Sequence, residues 1–281
     1  MSTAFVLSGG GSLGAVQVGM LEALAERSIR PDLVLGTSIG AINAAWAATH
    51  PGLEGASELA RIWCDVRREH IFPSRPLVGL RGLSGRADHL VAPHALRHLL
   101  ARHFGSERLE GTAVSLGVVA VALDSGVETL LTTGPIVEAV MASSAIPGIF
   151  PPVWIEGRPY VDGGVANNAP ISHALELGAT TVYVLPTGYA CALGRLPQSA
   201  LGVAMHSLTL LIQRRLREDV ERHNGRMDLR VMPPVCPLAV SPLDFSHTGE
   251  LIEQAREQTA AWLDHPRLVT EPIGRLAPHA H

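Results

Sequence analysis

The chain has 281 residues, of which 47% are hydrophobic and 17% are charged, and its formal net charge is -4 at pH 7. That length is ample for one large domain with a buried core. The charge balance lacks the basic excess with which nucleic-acid-binding proteins attract phosphates. We therefore expect a globular protein that does not bind nucleic acid.

Cysteine usage and the N-terminus both bear on the cellular compartment. Cys64, Cys191 and Cys236 are widely spaced and form neither a disulfide framework nor a zinc-ligand pattern, which suits the reducing cytoplasm. The first residues lack the basic segment of a signal peptide. No stretch reaches the roughly 18 apolar residues that a membrane-spanning helix needs. We predict a cytoplasmic protein whose contact with a membrane, where it has one, is peripheral.

The first elements of the chain predict a βαβ unit. An apolar strand at 4–7 is followed by the glycine-rich turn G-G-G-S-L-G at 9–14 and by a helix with an apolar stripe that ends at Arg27. A second buried strand follows at 33–35, and the crossover between two such parallel strands should be right-handed. Three successive glycines also suit a nest of backbone N–H groups that binds a small anion.

The second strand runs into Gly36-Thr37-Ser38-Ile39-Gly40, after which residues 41–48 favour a helix. Strand, G-x-S-x-G and helix in this order are the context of a nucleophile elbow, in which a strained turn presents a serine. Glycines on either side let the backbones pass closely, and the helix N-terminus favours developing negative charge. Ser38 is therefore the candidate nucleophile. The alternative is that these small residues only let the helix pack closely on the strand.

The pattern G-x-G-x-x-G at 9–14 is also the fingerprint of a dinucleotide-binding fold. That fold needs an acidic residue at the end of the second strand, where it binds the ribose. Here the second strand ends at 36–38 without a carboxylate. A nucleotide-binding oxidoreductase is therefore the weaker alternative, and we expect no cofactor.

Helices and strands alternate through the rest of the chain. Predicted helices cover 53–72, 93–104, 135–144, 171–177, 200–222 and 247–263, and predicted strands cover 114–123, 127–132, 153–155, 158–161, 180–185 and 229–232. Turns at 124–126 and 156–157 join two pairs of these strands as hairpins. The charged run at 214–222 suits a solvated helix face with i,i+4 ion pairs.

The segment 71–86 is rich in Pro, Gly and Arg and carries Leu77, Val78, Leu80 and Leu83. This composition suits a mobile, amphipathic loop or lid that contacts lipid. An ordinary packed connection between helices is the alternative.

Asp162 follows a predicted strand and precedes two glycines, so a tight loop presents its carboxylate. In chain order, G-G-G-S-L-G at 9–14, G-T-S-I-G at 36–40, S-S-A-I-P-G-I-F-P-P at 143–152 and D-G-G at 162–164 resemble the motifs of the patatin-like phospholipase family. The resemblance covers residues 4–185 and implies a three-layer α/β/α fold around a mainly parallel sheet. It also implies hydrolysis of carboxylic esters of lipids without a metal ion or cofactor.

The resemblance further implies particular site residues. Ser38 would be the nucleophile and Asp162 the base of a serine–aspartate dyad, and the amides of Gly9, Gly10 and Gly11 would form the oxyanion hole. Glycines of the motifs would support this site: Gly14, Gly36, Gly40, Gly163 and Gly164. Where the family's glycine loop usually carries Arg or Lys, this chain has Leu13, so a fixed positive charge beside the anion site is missing.

Residues 186–281 carry no family motif, and we expect a helical extension packed on the catalytic domain at 4–185. The sequence does not predict an oligomeric state. A catalytically silent lipid-binding or regulatory protein on the same scaffold is an alternative function, against which the intact Ser38 and Asp162 argue.

Histidines raise an alternative mechanism, because a Ser-His-Asp triad needs a histidine after the acid. Four histidines satisfy that order: His173, His206, His223 and His247. His94 and His98 share a helix face at i,i+4, but no H-E-x-x-H pattern accompanies them, so we expect no metal site.

Overall fold

The computed structural model describes residues 2–72, 88–188, 198, 200–233, 235 and 240–265. Eight strands form one mixed sheet. They are β1 (Thr3–Leu7), β2 (Leu33–Thr37), β3 (Ser115–Ala122), β4 (Glu128–Leu131), β5 (Val153–Ile155), β6 (Arg158–Asp162), β7 (Thr181–Leu185) and β8 (Asp228–Val231).

The hydrogen-bonded order of the strands is β5-β6-β3-β2-β1-β7-β8, and β4 also pairs with β3. The pairs formed among β3, β2, β1, β7 and β8 are parallel. The pairs that involve β4, β5 and β6 are antiparallel. The sheet is thus mainly parallel, as predicted, and both predicted hairpins are confirmed.

Helices cover both faces of the sheet. They are α1 (Gly14–Glu26), α2 (Ile39–Thr49), α3 (Leu53–Asp65), α4 (Arg68–Ile71), α5 (His94–Phe104), α6 (Ile136–Ser143), α7 (Ile171–Glu176), α8 (Ala200–His223) and α9 (Thr248–Leu263). Alternate residues of β1 point to opposite faces. Phe5 and Leu7 belong to the hydrophobic core that includes residues of α1, α2, α3, α5, α6 and α9, whereas Ala4 and Val6 belong to the core that includes residues of α7 and α8. The three-layer α/β/α fold is confirmed.

Helix α1 is buried more completely than the predicted apolar stripe requires. Its residues from Gly14 to Leu21 are all buried, because α9 covers the side that faces away from the sheet. The two helices cross closely at Gly19, where a Cβ would lie 2.1 Å from the carbonyl oxygen of Ile252. The C-terminal helix therefore completes the core around α1.

The prediction of one helix over 53–72 is wrong. Helix α3 ends at Asp65, the next two residues are extended, and α4 then forms a single turn. This break lets Ile71 and Phe72 enter the core, where Phe72 stacks on Phe150 with ring centroids 5.5 Å apart. These two buried residues are the part of the predicted lipid-contacting segment 71–86 that the structure describes, and residues 73–86 lie outside the described chain.

Beyond residue 185 the described chain adds more than helices, because β8 extends the sheet beside β7. The predicted i,i+4 ion pairs on α8 are confirmed: Arg214–Glu218, Arg215–Asp219 and Arg217–Glu221. In the described part of the chain, no helix is both long enough and apolar enough to cross a membrane.

Candidate active site

The sheet brings the ends of β2 and β6 together. Residues 118–121 of β3 pair with β4, while residues 115–119 pair with β2 and residues 120–122 pair with β6. Because β4 occupies one edge of β3, the strands β2 and β6 follow one another along the opposite edge. Thr37 at the end of β2 and Asp162 at the end of β6 therefore face consecutive residues of β3.

The turn after β2 has the strained geometry that the G-x-S-x-G spacing predicts. Ser38 lies between β2 and α2 with φ 56° and ψ -124°, a conformation that costs energy for a residue with a side chain. A Cβ at Gly36 would lie 2.4 Å from the carbonyl oxygen of Gly40, and a Cβ at Gly40 would lie 2.3 Å from that of Leu7. Both positions therefore exclude any larger residue.

Ser38 and Asp162 form a buried hydrogen-bonded pair. Ser38 Oγ donates to Asp162 Oδ2 at 2.6 Å, and the Gly164 N–H donates to Asp162 Oδ1 at 2.7 Å. Only 9% of Ser38 and 6% of Asp162 is exposed. Burial raises the pKa of Asp162 from 3.8 to about 6, although the two hydrogen bonds favour its ionised form. The carboxylate is thus a stronger base than an exposed aspartate.

Two residues of the motif at 143–152 hold the backbones of this pair. Ser143 Oγ accepts the N–H of Ser38 at 2.8 Å and donates to the carbonyl oxygen of Val119 at 2.6 Å. The carbonyl oxygen of Ala145 accepts the N–H of Asp162 at 2.9 Å. Sequence reasoning singled out this motif without a role for Ser143, because the contact depends on how α6 packs against β3.

The glycine loop between β1 and α1 has a different amide arrangement from the one expected. The Gly9 N–H donates to the carbonyl oxygen of Asn168 at 3.2 Å, and the Ser12 N–H donates to that of Pro242 at 2.8 Å. Within the described residues, the N–H groups of Gly10 and Gly11 make no hydrogen bond. The Gly9 amide is therefore engaged with Asn168, and the prediction of an oxyanion hole rests mainly on the amides of Gly10 and Gly11.

The other motif glycines permit close packing around the pair. A Cβ at Gly163 would lie 2.3 Å from the carbonyl oxygen of Val119, and one at Gly164 would lie 3.0 Å from Asp162 Oδ1. A Cβ at Gly14 would lie 2.5 Å from Ile39 Cγ1, so this glycine lets α1 approach the start of α2. Leu13, in the position of the family's usual Arg or Lys, is buried in the core.

A chain of buried polar side chains fixes the point at which the glycine loop leaves β1. Gln17 Nε2 donates to the carbonyl oxygens of Ser8 and Leu185 at 2.8 and 2.9 Å. Asn43 Nδ2 donates to Gln17 Oε1, and Trp63 Nε1 donates to Asn43 Oδ1, both at 2.9 Å. Because every member has a partner, this network stabilises a single arrangement of the first three helices.

The structure does not place a described histidine on Ser38 or Asp162. His173 Nε2 lies 2.5 Å from Glu128 Oε1, a contact that raises the pKa of this histidine, and His247 pairs with Asp244 and Glu250. His223 is buried, and the side chain of His206 lies outside the described residues. The described residues also contain no group of three or more His, Cys, Asp or Glu side chains arranged to hold a metal ion.

The protein thus belongs to the class in which an α/β/α fold holds a serine on a strained turn and buries it against a carboxylate. The family model of patatin-like phospholipases matches residues 5–175, which contain both members of the pair. The chain therefore belongs to the patatin-like phospholipase family.

The chain is similar to parts of much longer relatives. It is 27% identical over 191 residues to lysophospholipase nte1 of Aspergillus terreus, a match that covers 66% of this chain and 12% of that protein. It is 28% identical over 187 residues to human patatin-like phospholipase domain-containing protein 6, covering 66% of this chain and 13% of that protein.

Among solved structures, the chain resembles human GIVD cytosolic phospholipase A2 in complex with methyl gamma-linolenyl fluorophosphonate. The TM-score is 0.49 with 12% sequence identity, over 98% of this chain and 60% of that chain.

Proposed function

We propose that this protein is a serine acyl hydrolase that cleaves carboxylic esters of lipids, with Ser38 as nucleophile and Asp162 as base. The observation that carries the proposal is the 2.6 Å hydrogen bond from Ser38 Oγ to Asp162 Oδ2 in a buried, strained turn. Membership of a phospholipase family supports a lipid ester as substrate, and the name of the fungal relative supports a lysophospholipid in particular.

The geometry supports a two-stage reaction. As Ser38 Oγ attacks the ester carbonyl carbon, Asp162 accepts the hydroxyl proton, and the amides of Gly10 and Gly11 stabilise the negative charge on the carbonyl oxygen. The N-terminus of α2 directly after Ser38 favours the same charge. Asp162 then protonates the departing alcohol. Water then attacks the acyl-enzyme carbonyl carbon while Asp162 takes its proton, and Asp162 returns that proton to Ser38 Oγ as the acyl–oxygen bond breaks and the fatty acid leaves.

The raised pKa of Asp162 suits both halves of this cycle. With a pKa of about 6 the carboxylate is ionised at neutral pH and ready to accept the serine proton. It also binds that proton more tightly than an exposed aspartate does, because burial disfavours the charged form. A base whose pKa lies near the working pH transfers a proton efficiently in both directions.

Exposed apolar residues near the site support peripheral contact with a lipid surface. Leu123, Val127 and Trp154 are 52%, 54% and 67% exposed. Leu123 follows β3, and its N–H donates to Pro159, the residue that pairs with Trp154. These three apolar residues therefore lie at the carboxyl end of β3, beyond the residue of β3 that pairs with Asp162. An exposed tryptophan among them suits a membrane interface.

Vesicle binding tests this contact. The double substitution of Leu123 and Trp154 by Ser should lower both cosedimentation with phosphatidylcholine vesicles and hydrolysis of vesicle lipid, and should spare a short soluble ester. Leu177→Ser is the matched control, because Leu177 is 51% exposed but lies before β7, at the opposite end of the parallel strands. Equal losses of vesicle binding in the double variant and in Leu177→Ser would contradict the proposed contact.

A fluorophosphonate probe, which labels only an activated serine, tests the proposed chemistry. Wild-type protein should be labelled at Ser38 alone and should release fatty acid from a panel of lysophospholipids and simple esters. Ser38→Ala should keep the circular dichroism and melting temperature of a folded protein and lose both labelling and hydrolysis. A wild-type protein that binds lipid but is neither labelled nor active would instead support the catalytically silent alternative.

A further inference from the structure

The carbonyl oxygen of Gly9 accepts three side-chain hydrogen bonds, of which the one from the neighbouring Ser8 Oγ is the longest at 3.4 Å. Thr187 Oγ1 donates to it at 2.8 Å and Asn168 Nδ2 donates to it at 3.2 Å, and both side chains are buried. The N–H of Gly9 is held as well, since it donates to the carbonyl oxygen of Asn168 at 3.2 Å. The peptide groups on both sides of the Gly9 Cα are therefore fixed.

Fixing this carbonyl also fixes the next amide. In a trans peptide the C=O of one residue and the N–H of the following residue point in opposite directions in one plane. The two shorter of these hydrogen bonds, from Thr187 and Asn168, therefore direct the Gly10 N–H away from those two side chains. Gly9 itself lies against the nucleophile, since a Cβ there would be 3.1 Å from Ser38 Cβ.

We propose that Thr187 and Asn168 are positioning residues that aim the Gly10 amide at the oxyanion, an inference that rests on the function proposed above. Hydrogen bonds to a carbonyl oxygen also polarise its peptide group, so the Gly10 N–H becomes a stronger donor. Neither side chain touches the reacting atoms. Both act through the peptide bond between Gly9 and Gly10.

The hydroxyl of Thr187 is not needed to hold its own backbone. The Thr187 N–H donates to Ser8 Oγ at 3.1 Å, and the Ser8 N–H donates to the carbonyl oxygen of Leu185 at 3.2 Å. These bonds tie the segment after β7 to the end of β1 independently of Thr187 Oγ1. Thr187 also lies beyond the residues that match the family model, which end at 175. Removing only the hydroxyl should therefore leave the fold intact.

The kinetic test compares Thr187→Val, which keeps the shape of the side chain and removes the donor, with Thr187→Ser, which keeps the donor. Thr187→Val should lower kcat about tenfold or more, up to the hundredfold cost of losing an oxyanion donor. Its KM should change by no more than about twofold, because the contact acts on the transition state. Thr187→Ser should retain kcat within about threefold, with active sites counted by fluorophosphonate titration.

A second measurement reports on the loop without any turnover. Only three glycines in the chain follow another glycine: Gly10, Gly11 and Gly164. Protein labelled with carbonyl-¹³C and ¹⁵N glycine therefore gives three carbonyl–amide cross peaks, one of which joins the Gly9 carbonyl to the Gly10 amide. Thr187→Val should shift or broaden that peak and Thr187→Ser should leave it in place. The Gly164 peak, from an amide bonded to Asp162, is the internal control.

Asn168→Asp is the second variant, since it keeps the size of Asn168 and removes its donor. It should move the same cross peak and lower kcat in the same direction. Equal cross-peak positions and equal kcat in Thr187→Val and Thr187→Ser would overturn the proposal, as would a change confined to KM. If the wild-type protein hydrolyses no ester, the proposed function fails, and the Gly9–Gly10 cross peak alone still decides whether these side chains position the amide.

Discussion

Two turns meet at the site, the glycine loop after β1 and the elbow after β2, and different contacts hold them in place. The elbow is confined partly by its own residues, since a Cβ at Gly36 would lie 2.4 Å from the carbonyl oxygen of Gly40, and partly by the contact of Gly40 with the end of β1. The glycine loop is held by Asn168, Thr187 and Pro242, all far away in the sequence. Part of the elbow's geometry is therefore local, whereas the geometry of the glycine loop depends on residues that are distant in the sequence.

The difference has a physical cause. The strain at Ser38 is held by the close packing of Gly36 on the start of α2 and by the hydrogen bond from the Ser38 N–H to Ser143 Oγ. In the proposed function the glycine loop leaves the amides of Gly10 and Gly11 free for the oxyanion, so it cannot satisfy them with internal hydrogen bonds. Its rigidity has to come from partners that bind the remaining backbone groups.

The largest expected effect on activity comes from substitution of Asp162, the hydrogen-bond partner of Ser38. Asp162→Asn should lower kcat on the order of a thousandfold or more, as much as Ser38→Ala, because an amide cannot accept the serine proton. Hydrolysis of a soluble ester by both variants measures this loss. A variant that retains a weakened, histidine-dependent activity would contradict the dyad.

The same substitution should stabilise the protein at alkaline pH. The pKa of Asp162 is about 6 in the folded state against 3.8 ordinarily, so the folded state binds this proton more tightly than the unfolded state. Its contribution to stability is complete below pH 4 and is lost as the pH rises through 6. At pH 8 we expect Asp162→Asn to be more stable by about 2–3 kcal/mol in urea unfolding, with no such gain near pH 4. A less stable variant at pH 8 would contradict the burial of an ionised carboxylate.

Gly40→Ala tests the close packing of the elbow on the end of β1. The new Cβ would lie 2.3 Å from the carbonyl oxygen of Leu7 and 2.6 Å from that of Ser8, and backbone atoms cannot move aside cheaply. We expect the free energy of unfolding to fall by about 3 kcal/mol or more, with loss of activity. Gly111→Ala is the matched control, because no atom lies within 4 Å of its added Cβ. Similar melting temperatures for the two variants would show that the elbow tolerates a side chain.

Gly10→Ala tests the glycine loop, and its effect should be smaller. The added Cβ would lie 2.0 Å from Thr187 Oγ1 and 2.6 Å from Thr187 Cβ, so the loop has to move away from Thr187 and the Gly9 carbonyl is released. The fold should survive, while kcat falls about a hundredfold and KM changes much less. An increase in KM at unchanged kcat would indicate a ground-state anion site in place of an oxyanion hole.

The smallest effect is that of pH on the wild-type protein. Below about pH 6 the value of kcat/KM should fall tenfold per pH unit, because protonated Asp162 cannot act as base. Since a free histidine titrates near pH 6.5, this limb alone does not separate a dyad from a triad. Substitution of His173, His206, His223 and His247 by Gln completes the test, and one inactive variant among them would overturn the dyad.

The sequence alone predicted the parts of this protein that local pattern encodes. Apolar runs predicted β1 and β2, the strands that lead into the two turns, glycines at fixed offsets predicted the strained turn, and four motifs in order indicated Ser38 and Asp162. The break between α3 and α4 escaped prediction, because burial of Phe72 against Phe150 overrides the helical pattern.

Only the tertiary structure decided which groups of the site are free and which are engaged. The Gly9 amide is bound to Asn168, Ser143 holds the amide of Ser38, and Thr187 holds the Gly9 carbonyl. Each of these hydrogen bonds joins residues more than 100 positions apart, so it depends on the order of the strands and on how the helices pack. The raised pKa of Asp162 has the same origin, since burial is a property of the assembled fold.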